Sequence, residues 1–150
     1  MHTVKGQTMI EVIVALTLII LFLSGVVVVE LFAIKNADFA RHKSVSTQLA
    51  RQQIERARVV RDSTGISSLA VCMSGCFINS QLTPIPVSPT GIYGQSLTLT
   101  TASLTDCPLP TIIPLPISYK ARAIVDWSQG LSGITPAPQV EVSSCITDWR

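Results

Sequence analysis

The first half of this chain lacks the residues that interrupt helices. No proline occurs before Pro84, and no glycine occurs between Gly25 and Gly65 in the 150-residue sequence. Because proline and glycine are the residues least compatible with a helix interior, their absence predicts one long helix from residue 7 to about residue 61. The run Asp62-Ser63-Thr64-Gly65 then provides a stop signal.

Side chains that usually carry catalysis are also scarce. The chain has only two histidines, His2 and His42, and neither is close in sequence to a cysteine. The carboxylates of the C-terminal half are scattered, and no glycine-rich phosphate-binding motif occurs. Without a candidate nucleophile and base in one region, we expect no catalytic residues, no metal ligands and no cofactor.

What the first half does contain is a long apolar run. From Val12 to Val29 only Thr17, Ser24 and Gly25 interrupt it. As a helix this run would be about 27 Å long, and Met9 and Ile10 extend it to about the 30 Å of a bilayer core. The plain interpretation is a single-pass membrane anchor.

A carboxylate stands at the edge of this run, in the segment Lys5-Gly6-Gln7-Thr8-Met9-Ile10-Glu11. A charge there costs a few kcal/mol unless it has a partner, so its place calls for an explanation. A secretory signal would be cleaved after the apolar region, whereas Gly6 precedes it. The segment from Gly6 to Val12, with the apolar run in register behind it, resembles the cleavage and methylation site of type IV prepilins and type II secretion pseudopilins.

This resemblance implies a structural protein rather than an enzyme. A prepilin peptidase would cleave after Gly6 and methylate the new amine of Gln7. Glu11 would meet the N-terminal amine of a neighbouring subunit. The other partners would be pilin subunits, membrane lipid and the pilus assembly platform. The N-terminus would be cytoplasmic and the head exported, and the subunit would join a surface filament. The absence of proline from the N-terminal helix suggests a minor pilin or pseudopilin.

The resemblance and the sequence pattern together predict an α+β fold. We expect a leader at residues 1–6, a transmembrane helix at 7–30, an amphipathic helix at 31–62 and a small β-rich head at 63–150. Alternating residues indicate antiparallel strands at 96–101, 117–127 and 140–146, and loops at 79–94, 107–116 and 129–138. An apolar stripe of the helix would face the head; its members are Val45, Leu49, Ile54, Ala57 and Val60.

All four cysteines, Cys72, Cys76, Cys107 and Cys145, lie in the predicted head. Four cysteines allow three pairings, and an exported domain of this size is where disulfides are expected. We favour Cys72 with Cys76 and Cys107 with Cys145. A four-cysteine zinc site is the rival, although it lacks the usual two short spacings. Reduced structural thiols are the third alternative.

The helix after the apolar run is basic. Seven Lys or Arg residues occur between Lys35 and Arg61, against only Asp38 and Glu55. Such a helix could bind DNA, as in uptake pili, or anionic lipid headgroups. We favour the simpler interpretation of a solvated or subunit-facing surface, with ion pairs at the i,i+4 spacings of Arg51/Glu55 and Arg58/Asp62.

Overall fold

A computed structural model of the chain describes residues 7–86, 91–103, 106–107, 118–128 and 137–147. The predicted leader, Gly6 included, and most of the predicted loops at 107–116 and 129–138 lie outside these residues. The chain divides into two compact units, Met1–Arg41 and His42–Arg150, and we describe each one by itself.

The described part of the first unit is helix α1, which spans Gln7–Thr64 and continues into the second unit. Every described side chain from Met9 to Arg41 is exposed. The two hydroxyl groups inside the apolar run bond to the backbone of the preceding turn: Thr17 donates to the Val14 carbonyl and Ser24 to the Leu21 carbonyl, each at 2.8 Å. These bonds satisfy the hydroxyls on an otherwise apolar surface.

Helix α1 ends where the sequence predicted a stop. Thr64 is its last residue, and the N–H of Gly65 donates to the Arg61 carbonyl at 3.0 Å. Gly65 has a φ of 88°, a conformation that favours glycine. The chain turns there into a nine-residue 3₁₀ helix, Ile66–Ser74, which the sequence analysis did not predict.

Two antiparallel sheets follow in the second unit. A small sheet pairs β1 (Phe77–Ile78) with β2 (Pro84–Ile85). The larger sheet has the order β3 (Tyr93–Thr101), β4 (Ser118–Trp127) and β5 (Gln139–Thr147). The three strands predicted from alternation are therefore confirmed, with β3 starting earlier than expected. The loop predicted at 79–94 is partly wrong, because it contains β2 and the start of β3.

The core of the second unit lies between α1 and the larger sheet. Four of the five helix residues predicted to face the head do so: Ile54, Ala57 and Val60 are buried, and Leu49 packs against them. Val45 is half-buried and is not part of this cluster. From the sheet, the core takes the alternate residues Leu97, Leu99, Ala121, Ala123, Val125 and Ile146. The fold is α+β, as predicted, with a long N-terminal helix packed on a small antiparallel sheet.

Candidate functional site

The exposed apolar surface of α1 in the first unit is the most unusual feature of the described structure. Large apolar side chains are exposed along its whole length, including Phe22 at 73% and Val29 at 67%. An 18-residue window of this helix has a mean hydropathy of 3.1, and none of it is buried. By length and composition the helix can cross a membrane, which is where such a surface loses contact with water.

Glu11 lies exposed near the start of this helix. Helix α1 begins at Gln7, so four residues, or about 6 Å along the axis, separate Glu11 from the first helical residue. Its neighbours at i+3 and i+4 are Val14 and Ala15. Within the described part of the chain Glu11 makes no ion pair. The helix therefore presents one carboxylate with no partner of its own.

A second carboxylate, Glu30, marks the other end of the apolar surface, and the sequence analysis passed over it. Nineteen residues separate Glu11 from Glu30. This distance is about 28 Å along a helix, close to the thickness of a bilayer core. The side chains at i±3 and i±4 from Glu30 are all apolar, and the nearest following cation is Lys35. The apolar surface between the two carboxylates is therefore about as long as a bilayer core is thick.

In the second unit, the buried amide of Gln53 joins α1 to the small sheet. The N–H of Ile78 donates to Gln53 Oε1 at 3.0 Å, and Gln53 Nε2 donates to the Ile78 carbonyl at 3.3 Å. The same nitrogen donates to Gln95 Oε1 at 3.1 Å. Only the hydrogen bonds reveal this role, because a glutamine in a basic helix gives no sequence signal of burial.

Three arginines of the basic helix are engaged with the head. Arg56 donates to the Ile78 carbonyl at 2.8 Å, Arg58 to the Ser144 hydroxyl at 2.6 Å and Arg61 to the Thr147 carbonyl at 3.1 Å. Each hydrogen bond holds a guanidinium group against the head, and DNA binding would require that group to contact a phosphate instead.

Neither predicted i,i+4 ion pair, Arg51/Glu55 or Arg58/Asp62, occurs among the described residues. Arg58 pairs with Glu55, at i,i+3, and Asp62 pairs with its neighbour Arg61. The guanidinium of Arg58 thus contacts both Glu55 and the Ser144 hydroxyl on β5.

His42 lies in an aromatic cluster at the start of the second unit. Its Nδ1 is 2.8 Å from the Tyr93 hydroxyl, and its ring stacks on Trp127 with centroids 6.4 Å apart. Trp127 is buried and ends β4. These contacts anchor the side chain of His42 as a packing residue.

The four cysteines form two disulfides, Cys72–Cys76 and Cys107–Cys145, which is the pairing favoured on sequence grounds. The first joins the 3₁₀ helix to the residue before β1, and both of its cysteines are buried. The second joins residues 38 apart and fastens the chain after β3 to β5. The zinc interpretation is therefore wrong, because no described cysteine thiolate remains to bind a metal.

Across the described ranges, no three His, Cys, Asp or Glu side chains are grouped so as to hold a metal ion. Comparisons with protein-family models, with curated proteins and with solved structures found no match to this chain.

Proposed function

We propose that this chain is a structural subunit, a minor pilin or pseudopilin, of a type IV pilus or a type II secretion-like filament. A prepilin peptidase cleaves it between Gly6 and Gln7 and methylates the Gln7 amine. The apolar part of α1 holds the subunit in the membrane, with the N-terminus cytoplasmic and the head exported. The assembly platform then transfers it from membrane lipid to a filament of pilin subunits.

One observation carries this proposal. The segment from Gly6 to Glu11 leads into helix α1, which begins at Gln7 and whose side chains are all exposed from Met9 to Ile34. An exposed apolar surface needs lipid or other apolar helices around it, and a filament subunit uses both in turn. The two disulfides support an exported head, since such bonds persist in oxidising compartments.

Two other functions remain as alternatives. A single-pass anchor of a surface protein would share the membrane helix and the head, but it would need neither Gly6 nor Glu11. A DNA-binding uptake pilin would use the basic helix at 41–61. The bonds of Arg56, Arg58 and Arg61 to the head favour the subunit without DNA binding.

Intact mass spectrometry of the membrane-extracted protein tests the proposal. We expect a mature chain that begins at Gln7 and carries one added methyl group. Gly6→Leu should leave the precursor uncut, whereas Val4→Leu, two residues earlier, should be processed normally. A native protein that keeps residues 1–6, or one cut after the apolar run, would refute the proposed function.

A further inference from the structure

The two charges at the end of the apolar surface, Glu30 and Lys35, cannot pair within their own helix. Five residues place their side chains about 140° apart around the axis and about 7.5 Å apart along it. Both are exposed, and in the described residues neither makes an ion pair. Near the bilayer surface each charge gains from an opposite partner, so the partner has to come from another molecule.

The spacing of these two charges matches a known arrangement between two parallel helices. In a parallel pair with heptad packing, a residue at position g of one helix faces the residue five positions later, at position e, of the other. If Glu30 is position g, then Lys35 is position e. Copies of one chain that are inserted in one orientation meet as parallel helices, so each Glu30 would face Lys35 of the second copy.

The same assignment defines the residues between the two helices, which we name the seam. From Val12 onward, its a and d positions are Ile13, Thr17, Ile20, Ser24, Val27, Leu31 and Ile34. Both hydroxyl residues of the apolar run fall on the seam, seven residues apart. Their small side chains permit close approach, and their donor hydrogens are already bonded to the backbone. The next a and d positions are the polar Asp38 and Arg41, so the seam ends at Ile34.

We propose that a second copy of this chain packs in parallel along the seam to form a membrane dimer, closed by two symmetric Glu30–Lys35 pairs. Glu11 lies about 170° around the helix from the middle of the seam, so the dimer leaves Glu11 free. The dimer rests on the membrane-anchored part of the proposed function and not on filament assembly.

Disulfide crosslinking in native membranes tests the seam. Val27→Cys places a thiol on the seam, and Val29→Cys places one on the opposite side of the helix, so the two variants are matched controls. Mild oxidation should convert Val27→Cys to a covalent dimer and leave Val29→Cys monomeric. Equal dimer from both variants, or more from Val29→Cys, would overturn the proposal.

Charge exchange tests the ion pairs independently. In Glu30→Lys, two like-charged contacts replace two attractive ones, and we expect the dimer dissociation constant of the full chain in detergent to rise about tenfold. Lys35→Glu should have the same effect, and the double variant Glu30→Lys/Lys35→Glu should restore wild-type association. Single variants that associate like the wild type, or a double variant that stays weak, would overturn the pairing.

The outcomes also separate this proposal from the proposed function. A processed, membrane-located protein without the Val27→Cys crosslink would overturn the dimer and leave the subunit role standing. A protein absent from the membrane fraction would overturn both.

Discussion

The amide group of Gln53 binds the peptide of Ile78 in the way a neighbouring β-strand would. It accepts from the Ile78 N–H and donates to the Ile78 carbonyl, at 3.0 and 3.3 Å. Ile78 lies opposite Pro84 in the small sheet, and the ladder bond there is made by its neighbour, because the Asn79 N–H donates to the Thr83 carbonyl at 3.2 Å. The N–H and carbonyl of Ile78 therefore face away from β2. A side chain of α1 therefore completes the hydrogen bonding of β1, where both residues are fully buried.

This relationship predicts that Gln53→Ala destabilises the head strongly. The variant removes one hydrogen-bond partner from the Ile78 N–H and one from the Gln95 side chain. We expect the free energy of unfolding to fall by about 1–3 kcal/mol. Gln52→Ala, at the exposed neighbouring position, is the control and should change stability little. Urea unfolding of the full chain in detergent measures both. Equal unfolding midpoints for the two variants would show that the hydrogen bonds of Gln53 make no net contribution to stability.

The Gln53 contact also shows where sequence-based prediction reached its limit. The strands β3, β4 and β5 could be predicted because one face of each is less exposed than the other, which produces an alternating pattern. Strand β1 has only two residues, too few for any period. Its place depends on Gln53 and on the backbone bridge between Cys76 and Leu97, and both are long-range contacts.

The candidate site shows the same division. Glu11 could be singled out because a carboxylate beside an apolar run is unusual, and the resemblance gave it a role. Glu30 is equally unusual, yet no prediction was made for it from the sequence. The role proposed for Glu30 depends on its spacing from Lys35 around a helix that is exposed on all sides in this segment.

The two disulfides should contribute unequally to stability. In the chain-entropy model a loop of 38 residues is worth about 4 kcal/mol and a loop of four residues about 2 kcal/mol. Replacing Cys107 and Cys145 together with alanine should therefore cost more than replacing Cys72 and Cys76 together. Chemical unfolding of each double variant measures the two losses. A larger loss for the Cys72–Cys76 pair would mean that packing of these buried cysteines outweighs loop closure.

Two exposed carboxylates of the second unit, Asp106 after β3 and Glu141 on β5, predict a dependence of stability on pH. The hydrogen bond from Lys120, and then that from Ser103, lowers the pKa of Asp106 from its ordinary value of 3.8. The hydrogen bond from Arg122 lowers the pKa of Glu141 from 4.5. Groups with a lowered pKa in the folded state stabilise it above the unfolded value. That contribution is lost as the pH falls through the folded value.

We therefore expect Lys120→Met and Arg122→Met to lower the unfolding midpoint at neutral pH, and the difference from wild type to close below about pH 4. Lys43→Met, on the exposed side of α1, is the control for a lost positive charge. The effects should be small and should shrink in high salt, because both pairs are exposed. If the stability difference between variant and wild type grew as the pH fell, the assigned direction of the two pKa shifts would be wrong.

The last prediction separates a filament subunit from a simple anchor through Glu11. If Glu11 pairs with the Gln7 amine of a neighbouring subunit, Glu11→Ala should be inserted and processed normally yet fail to enter filaments. Removing one member of a charge pair in an apolar setting leaves the other uncompensated, a loss of about 3–5 kcal/mol. Asp38→Ala removes a carboxylate of the same helix beyond the apolar surface and should assemble like the wild type. The measurement is the amount of each variant in sheared surface filaments relative to the membrane pool. A simple anchor has no neighbouring amine to satisfy and would not respond to the loss of Glu11. Equal amounts of wild type and Glu11→Ala in the filament fraction would show that Glu11 has no role in assembly.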